Sequence, residues 1–296
     1  VNLRIATRSS AQATTQARLV GDALVAAHPG LSIELVFVDT VGDQRQDVPL
    51  HSIGGQGVFV KEVQRAVLDG RADLAAHSAK DLPSTPAEGL VIGAFTQRRS
   101  PADALVGASL VELASGATVA TGSVRRRAQL SALRPDLRFE ELRGNIQTRL
   151  SKVPAGGAIV MAVAALQILD LTDLIAEQLD PTLMVPAVGQ GCVAVEHAAG
   201  DEATAALLMA IDHPSTRREV EIERAFLAQL GSGCSLPVGA LAELGTLHAF
   251  LSDPTSGRVV RRTMPVGAGD HVSDLDRARV LASEMHAAVG GSPLHG

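Results

Sequence analysis

Seven of the chain's twenty-three arginines fall between Arg125 and Arg149, with only Asp136, Glu140 and Glu141 inside that window to offset them. The stretch reads TGSVRRRAQLSALRPDLRFEELRGNIQTRL. A guanidinium is a planar fork of donors that grips carboxylates and phosphates two bonds at a time. The chain as a whole is acidic, with a net charge of -6. A local arginine cluster in such a chain points to a small polyanion held in a cleft, because a nucleic-acid surface would raise the charge of the whole domain. Arg125, Arg126 and Arg127 cannot all face one way on a helix, so at least one is exposed or paired elsewhere.

Three other places carry reactive groups. Asp81 sits beside Lys80, after a short apolar run and before Pro83. A carboxylate there could shuttle protons or stabilise a cation, and it reads equally as a turn acid or helix cap. His77 could act as a base, although a lone histidine after a strand is more often a hydrogen-bonded structural group. Cys234 lies in GSGCSLPVG, where glycines on both sides let a ligand or another backbone approach closely. Exposed and near arginines, its thiol would be a nucleophile; buried, it would be inert. Cys192 lies in an apolar run, which favours the inert reading. The two cysteines are not spaced as a metal site and no histidine cluster completes one. Gly54-Gly55-Gln56-Gly57 lacks the Lys-Ser/Thr ending of a phosphate loop and reads as a mobile loop.

The elements that must position these groups follow a βαβ rhythm. Leu3–Thr7 reads as a strand, with Ser9 or Ser10 capping a helix through Ala11 to Ala27 that stops at His28-Pro29-Gly30. Ile33–Val38 is a second strand, Phe59–Leu68 a helix, and Leu74–Ser78 a short strand. A polar stretch from Gln97 to Asp103 reads as a hinge. A second set follows: strand Thr118–Ala120, a helix from near Ser123, a helix after Asn145, and a buried strand over Ala158–Val163. Cys192–Glu196 could return to the first sheet. Beyond Arg217 come one long helix, Glu219–Leu230, and strands such as Leu247–Leu251. This pattern gives an α/β fold with two lobes, 1–98 with 195–216 and 99–194, built on mostly parallel sheets around a cleft, and a smaller α+β domain over 217–296. Ligands bind beyond the carboxyl ends of the strands in such sheets.

Composition removes several classes. With 296 residues and 46% hydrophobic content the chain is globular and has room for two or three domains. It has no Trp, no Tyr and six Phe, which argues against stacking on bases or sugars as the recognition device. Lys61, Lys80 and Lys152 are the only lysines. The first residues, VNLRIATRSSAQATTQA, lack the pattern of a signal peptide, no run reaches membrane-span length, and two cysteines give no disulfide framework. The expectation is a cytoplasmic monomer with no nucleic-acid and no membrane partner.

Seven segments in order, RIATRSS, GGQGVFVKE, DLAAHSAKDLP, SVRRRAQL, LRGNIQTRL, PAVGQG and GCSLPVGA, resemble the porphobilinogen deaminase (hydroxymethylbilane synthase) family from Arg4 to about Gly239. The resemblance implies two lobes like those of periplasmic binding proteins. It implies a transferase of haem biosynthesis that joins four porphobilinogen units head to tail and releases ammonia at each step. It also implies a dipyrromethane cofactor linked as a thioether to the family's cysteine, which Cys234 matches. Asp81 matches the catalytic aspartate. Lys80, Ser123, Arg125, Arg126 and Arg149 match cofactor-binding positions, and Arg8, Ser10, Arg143 and Arg149 match substrate-binding ones. Departures are Ser52 and Gln56 in place of frequent lysines, Ser232 in place of a glycine, Gly122 in place of a hydroxyl residue, Arg127 at an uncharged position and Cys192 where Ala is common. Two other classes compete. A solute-binding or effector-sensing protein would use the arginines but not Asp81 or Cys234. A thiol redox protein lacks its Cys-x-x-Cys.

Overall fold

The computed structural model describes residues 1–39, 60–231, 236–267 and 269–291. The glycine loop at 54–57, its neighbour Ser52, and Cys234 with Ser232 lie outside the described residues. The elements run β1 (Asn2–Thr7), α1 (Ala11–Ala27), β2 (Ser32–Phe37), α2 (Lys61–Leu68), β3 (Leu74–Ser78), β4 (Leu90–Phe95), β5 (Asp103–Val106), β6 (Thr118–Ala120), α3 (Val124–Leu133) and β7 (Arg138–Glu140). They continue through α4 (Ile146–Leu150), β8 (Ala158–Ala162), α5 (Val163–Gln167), β9 (Glu177–Gln178), β10 (Val193–Ala198), α6 (Glu202–Leu208), α7 (Pro214–Gln229), β11 (Val238–Glu243), β12 (Thr246–Ser252), β13 (Val259–Pro265) and α8 (His271–Ala288). The chain divides into two compact units, Val1–Arg99 with Gly191–Arg217, and Ser100–Gln190 with Arg218–Gly296.

The first unit holds a five-stranded sheet in the order β2-β1-β3-β10-β4. β1 runs parallel to β2 and β3, whereas β10 runs antiparallel to β3 and β4. Strand alternation assigns the two faces. Leu3 and Ile5 of β1, Leu74 and Ala76 of β3, and Val195 of β10 pack with Ala17, Val20 and Leu24 of α1. The intervening Ala6 and Ala75 pack with Val63, Ala66 and Val67 of α2. Helix α1 begins where the Ser10 side chain accepts from the Ala13 N–H, which satisfies one of the otherwise unpaired donors of the first turn. It stops before Gly30, whose φ of 89° only glycine adopts readily.

The second unit holds a sheet in the order β7-β6-β8-β5-β9, with β6 parallel to β7 and β8 and β5 antiparallel to β8 and β9. In each sheet the parallel half carries the loops singled out in the sequence. β1 and β3 lead into Arg8–Ser10 and Ala79–Asp81, and β6 and β7 lead into Thr121–Ser123 and Leu142–Asn145. The same unit contains the antiparallel sheet β11-β12-β13. One of its faces packs through Ala240, Ala242, Leu247, Ala249 and Leu251 on Ile222 and Phe226 of α7 and Ala278, Leu281, Ala282 and Met285 of α8. The other face sets Leu241 and Phe250 against Val185 and Ala128.

Two long helices therefore serve this region, where the sequence reading expects one. α7 starts at Pro214 rather than Glu219, and α8 falls outside that reading altogether. The reason is visible in α8: its buried stripe is crossed by Val272 and Val280, which are exposed, so the apolar face is blurred. Among the described residues no helix is long and apolar enough to cross a membrane.

Gly239 marks a close approach. A Cβ at that position would stand 2.6 Å from the Val185 carbonyl oxygen and 2.9 Å from that of Pro186. Gly239→Ala should therefore lower stability by about 1–3 kcal/mol, as overpacking does. Thermal unfolding checks this, and an unchanged melting temperature would show that the loop gives way freely.

Candidate anion-binding and catalytic site

In the first unit the carboxyl ends of β1 and β3 form one pocket, lined among others by Arg8, Ser10, Gln12, Gln16, His77, Ser78 and Asp81. Asp81 closes a short 3-10 turn, Ala79–Asp81, and is half-buried. The turn is fixed at both ends. The Ala79 N–H donates to the Cys192 carbonyl at 2.9 Å, and the Leu82 N–H donates back to the Ala79 carbonyl. Ser78 exchanges hydrogen bonds with the Gln16 side chain at 2.9 and 3.1 Å and receives a longer one from Gln12 at 3.4 Å. Gln12 and Gln16 lie one turn apart on α1, so a single helix face holds the residue that leads into Lys80 and Asp81. The sequence reading places Arg8, Ser10 and Asp81 in the site, and the structure brings them to one pocket with Lys80 in the same turn. Gln12 and Gln16 are missing from it; their i, i+4 spacing on α1 was the available signal.

In the second unit the arginines of α3 take two different courses. Ser123 caps the helix by accepting from the Arg126 N–H. Arg125 and Arg126 turn inward and are buried, while Arg127 turns outward and pairs with Glu141 at 2.8 Å. Both inward guanidiniums converge on Asp103, which is fully buried. Arg125 Nη2 donates to Oδ2 at 2.8 Å, and Arg126 donates to Oδ1 through Nη2 at 2.7 Å and Nε at 3.1 Å. Gln190 adds a fourth donor to the carboxylate, reaching Oδ1 at 2.8 Å. Spare guanidinium hydrogens go to the Val185 and Val160 carbonyls at 2.7 and 3.0 Å. The polar hinge expected over Gln97–Asp103 therefore ends inside the core, where Asp103 opens strand β5. A single acid at the head of the apolar run Ala104-Leu105-Val106 was the sign of a buried carboxylate awaiting cations.

Burial raises the cost of ionising Asp103, but the charges of Arg125 and Arg126 and the hydrogen bonds of Arg126 and Gln190 outweigh it, so its carboxyl lies far below the usual range. For Arg125 burial dominates and pushes the guanidinium below its ordinary value. Two cations share one carboxylate here, and no second acid pairs with either arginine among the described residues. The cluster thus carries a net positive charge inside the protein, which costs free energy.

Of the remaining predicted arginines in this unit, Arg143 sits in the turn after β7 and Arg149 on the short helix α4 that follows. Arg149 donates from Nε to the Gly144 carbonyl at 2.8 Å. Gly144 takes a φ of 114°, and Asn145 caps α4 by accepting from the Thr148 N–H. The Arg143 guanidinium is partly buried, its affinity for a proton is lowered by desolvation, and Glu141 is the acid whose charge opposes that. Cys192 is buried at 3% exposure, with its Sγ near the Thr96 and Val193 carbonyls, in keeping with an inert thiol. No group of acids, histidines and cysteines among the described residues could hold a metal ion.

These features define an α/β protein with two buried arginines gathered on one acid and a carboxylate set at the end of a strand. Its sequence matches the model of the porphobilinogen deaminase dipyromethane cofactor binding domain over residues 3–206 and that of the porphobilinogen deaminase C-terminal domain over residues 217–272. The chain belongs to the porphobilinogen deaminase family. A relative of that name from Roseiflexus castenholzii is 45% identical, with 100% of this chain and 99% of the relative covered. Another from Moorella thermoacetica is 47% identical, with 99% and 96% covered. The structure is also similar to that of the methionine binding protein MetQ, at 14% identity and a TM-score of 0.44, over 77% of this chain and 94% of that one.

Asp103→Asn should cost about 3–5 kcal/mol, because it leaves two buried guanidiniums without their counter-charge. The sign of the pH dependence follows from the lowered carboxyl. The Asp103 contribution is complete above the unfolded-state carboxylate range and is lost as pH falls through it toward the lower folded-state value. Denaturant unfolding of both proteins between neutral and acid pH measures this. The gap between them should narrow on acidification, and a constant gap would contradict the assignment.

Proposed function

We propose that this chain polymerises four porphobilinogen units head to tail into hydroxymethylbilane, a tetrapyrrole precursor, consuming one water and releasing four ammonia. The observation that carries this reading is the surplus of buried positive charge around Asp103. Each pyrrole of the growing product brings two carboxylates, so a polymerising enzyme needs more cations than its own acids neutralise. The donor chemistry fits an anionic dipyrromethane: Arg125 and Arg126 exceed their single acid, and Arg143 is a partly desolvated cation. Lys80, Ser123, Arg125, Arg126 and Arg149 would hold the cofactor, and Cys234 would anchor it as a thioether. When bound, it supplies the pyrrole carbon on which the chain grows.

Arg8, Ser10, Arg143 and Arg149 orient incoming porphobilinogen by its acetate and propionate groups. Asp81 accepts the pyrrole N–H of the substrate. As the protonated aminomethyl group leaves as ammonia, the Asp81 carboxylate stabilises the azafulvenium cation that remains. After the new carbon–carbon bond forms, the same carboxylate takes up the ring proton that is lost. The Asp81 turn supports this role, since α1 holds Ser78 just before it and the Cys192 carbonyl, just before β10, accepts from its first N–H. The division into lobes 1–98 with 195–216 and 99–194 and a domain over 217–296 belongs to this reading, as does a monomer working in the cytoplasm. Its ligand is a small molecule, with no nucleic-acid partner.

Assay of porphobilinogen consumption and ammonia release tests the proposal. Asp81→Asn should retain the fold and lower turnover by about 10²–10⁴-fold, the usual worth of a positioned acid–base group. Cys192→Ala should turn over normally. A wild-type rate in Asp81→Asn would remove that residue from the mechanism, and a protein that neither consumes porphobilinogen nor releases ammonia would refute the function.

A further inference from the structure

Behind the Asp81 pocket lies a buried polar group that the mechanism above does not use. His77 on β3 and Glu196 on β10 stand on the same face of the first sheet, diagonal to one another in the antiparallel register that pairs His77 with Ala194 and Glu196 with Ala75. Their side chains are 4% and 3% exposed, and His77 Nε2 lies 3.1 Å from Glu196 Oε2. The approach is close but off the hydrogen-bond axis, so the ring nitrogen has no aligned partner. Gln64 of α2 donates from Nε2 to both Glu196 oxygens at 2.9 and 3.1 Å. Among the described residues His77 is the only ionisable partner of this carboxylate.

A buried carboxylate supported only by an amide is costly, and packing alone would be served as well by apolar residues of the same shape. A histidine set 3.1 Å from a glutamate inside the sheet is therefore a feature that packing does not require. Its placement ties it to the chemistry. His77 is among the residues that line the same pocket as Arg8 and Asp81. β3 runs from His77 through Ser78 straight into the Asp81 turn, and the Cys192 carbonyl that holds the turn immediately precedes the strand bearing Glu196. The charged and titratable groups around the ring are thus Glu196 on β10 and, lining the pocket, Arg8 and Asp81; Gln64 of α2 is neutral.

We propose that His77, packed against the Glu196 that Gln64 holds, is a positioning residue for Asp81: it fixes the pocket wall from which the carboxylate acts. This deepens the reading of the function given above and rests on it. The test measures kcat, KM and the pH profile of kcat for His77→Gln and Glu196→Gln, with intact mass reporting cofactor loading. Loading should be retained, kcat should fall roughly ten- to hundredfold, as small misplacements of a catalytic group do, and KM should stay within about twofold. The acidic limb of the kcat profile should move in both variants. An unchanged rate and an unmoved limb would make the pair a packing feature and overturn the proposal. A second readout needs no variant. The ring ¹⁵N resonances of His77 in the unaltered protein should shift when porphobilinogen is added, and a ring that does not respond overturns the proposal equally. Failure of the underlying reading shows separately, as an unaltered protein that consumes no porphobilinogen, and removes both.

Discussion

The ion cluster around Asp103 is the interaction on which the second unit is organised. One carboxylate with no exposure receives two guanidiniums and an amide. Through them it joins the start of β5 to α3 and to the end of the loop before β10. Arg125 continues the path to the Val185 carbonyl, which also receives Gln129 at 2.9 Å, while the Val185 N–H donates back to the Gln129 side chain. The Val185–Pro186 backbone is in turn the surface against which Gly239 of the C-terminal sheet is pressed. Charge pairing, loop position and sheet packing are thus successive links of one chain of contacts.

That arrangement makes Arg125 and Arg126 part of the frame of the unit. A surface arginine loses much of its attraction for an anion to water and salt. The Asp103 carboxylate instead holds two guanidiniums in place in a low-dielectric setting, where each charge pair is worth more than at the surface. Because one acid cannot neutralise both cations, the cluster is stable enough to fold and still short of negative charge. The same logic separates Arg127 from its neighbours: one residue further round the helix, it reaches solvent and pairs with Glu141, and nothing in the site depends on it.

Much of the fold was legible because it is written in local patterns. Ser10 and Ser123 announce helix starts through their chemistry, Gly30 and Gly144 announce turns, and β1, β3, β6 and β8 are apolar runs of strand length. The family resemblance followed from segments that cluster at strand ends, where ligand-facing loops lie. What escaped were features set by distant partners. Asp103 looked like a hinge acid, because its partners are 22, 23 and 87 positions away. Glu196 looked like an ordinary strand residue, because Gln64 approaches from a helix 132 positions earlier. The short strands β5 and β9 carry too few residues to show a period, and α8 hides its buried stripe among exposed valines.

The central claim is that this chain is built to hold a growing polycarboxylate on Cys234 and to act on it with Asp81. The denatured intact mass of the purified protein, beside that of a Cys234→Ser variant, tests it most directly. The account predicts excess mass equal to two linked pyrrole units on the unaltered chain, present at purification or after incubation with porphobilinogen, and absent from the variant. An unaltered chain that stays at its sequence mass after that incubation would contradict it.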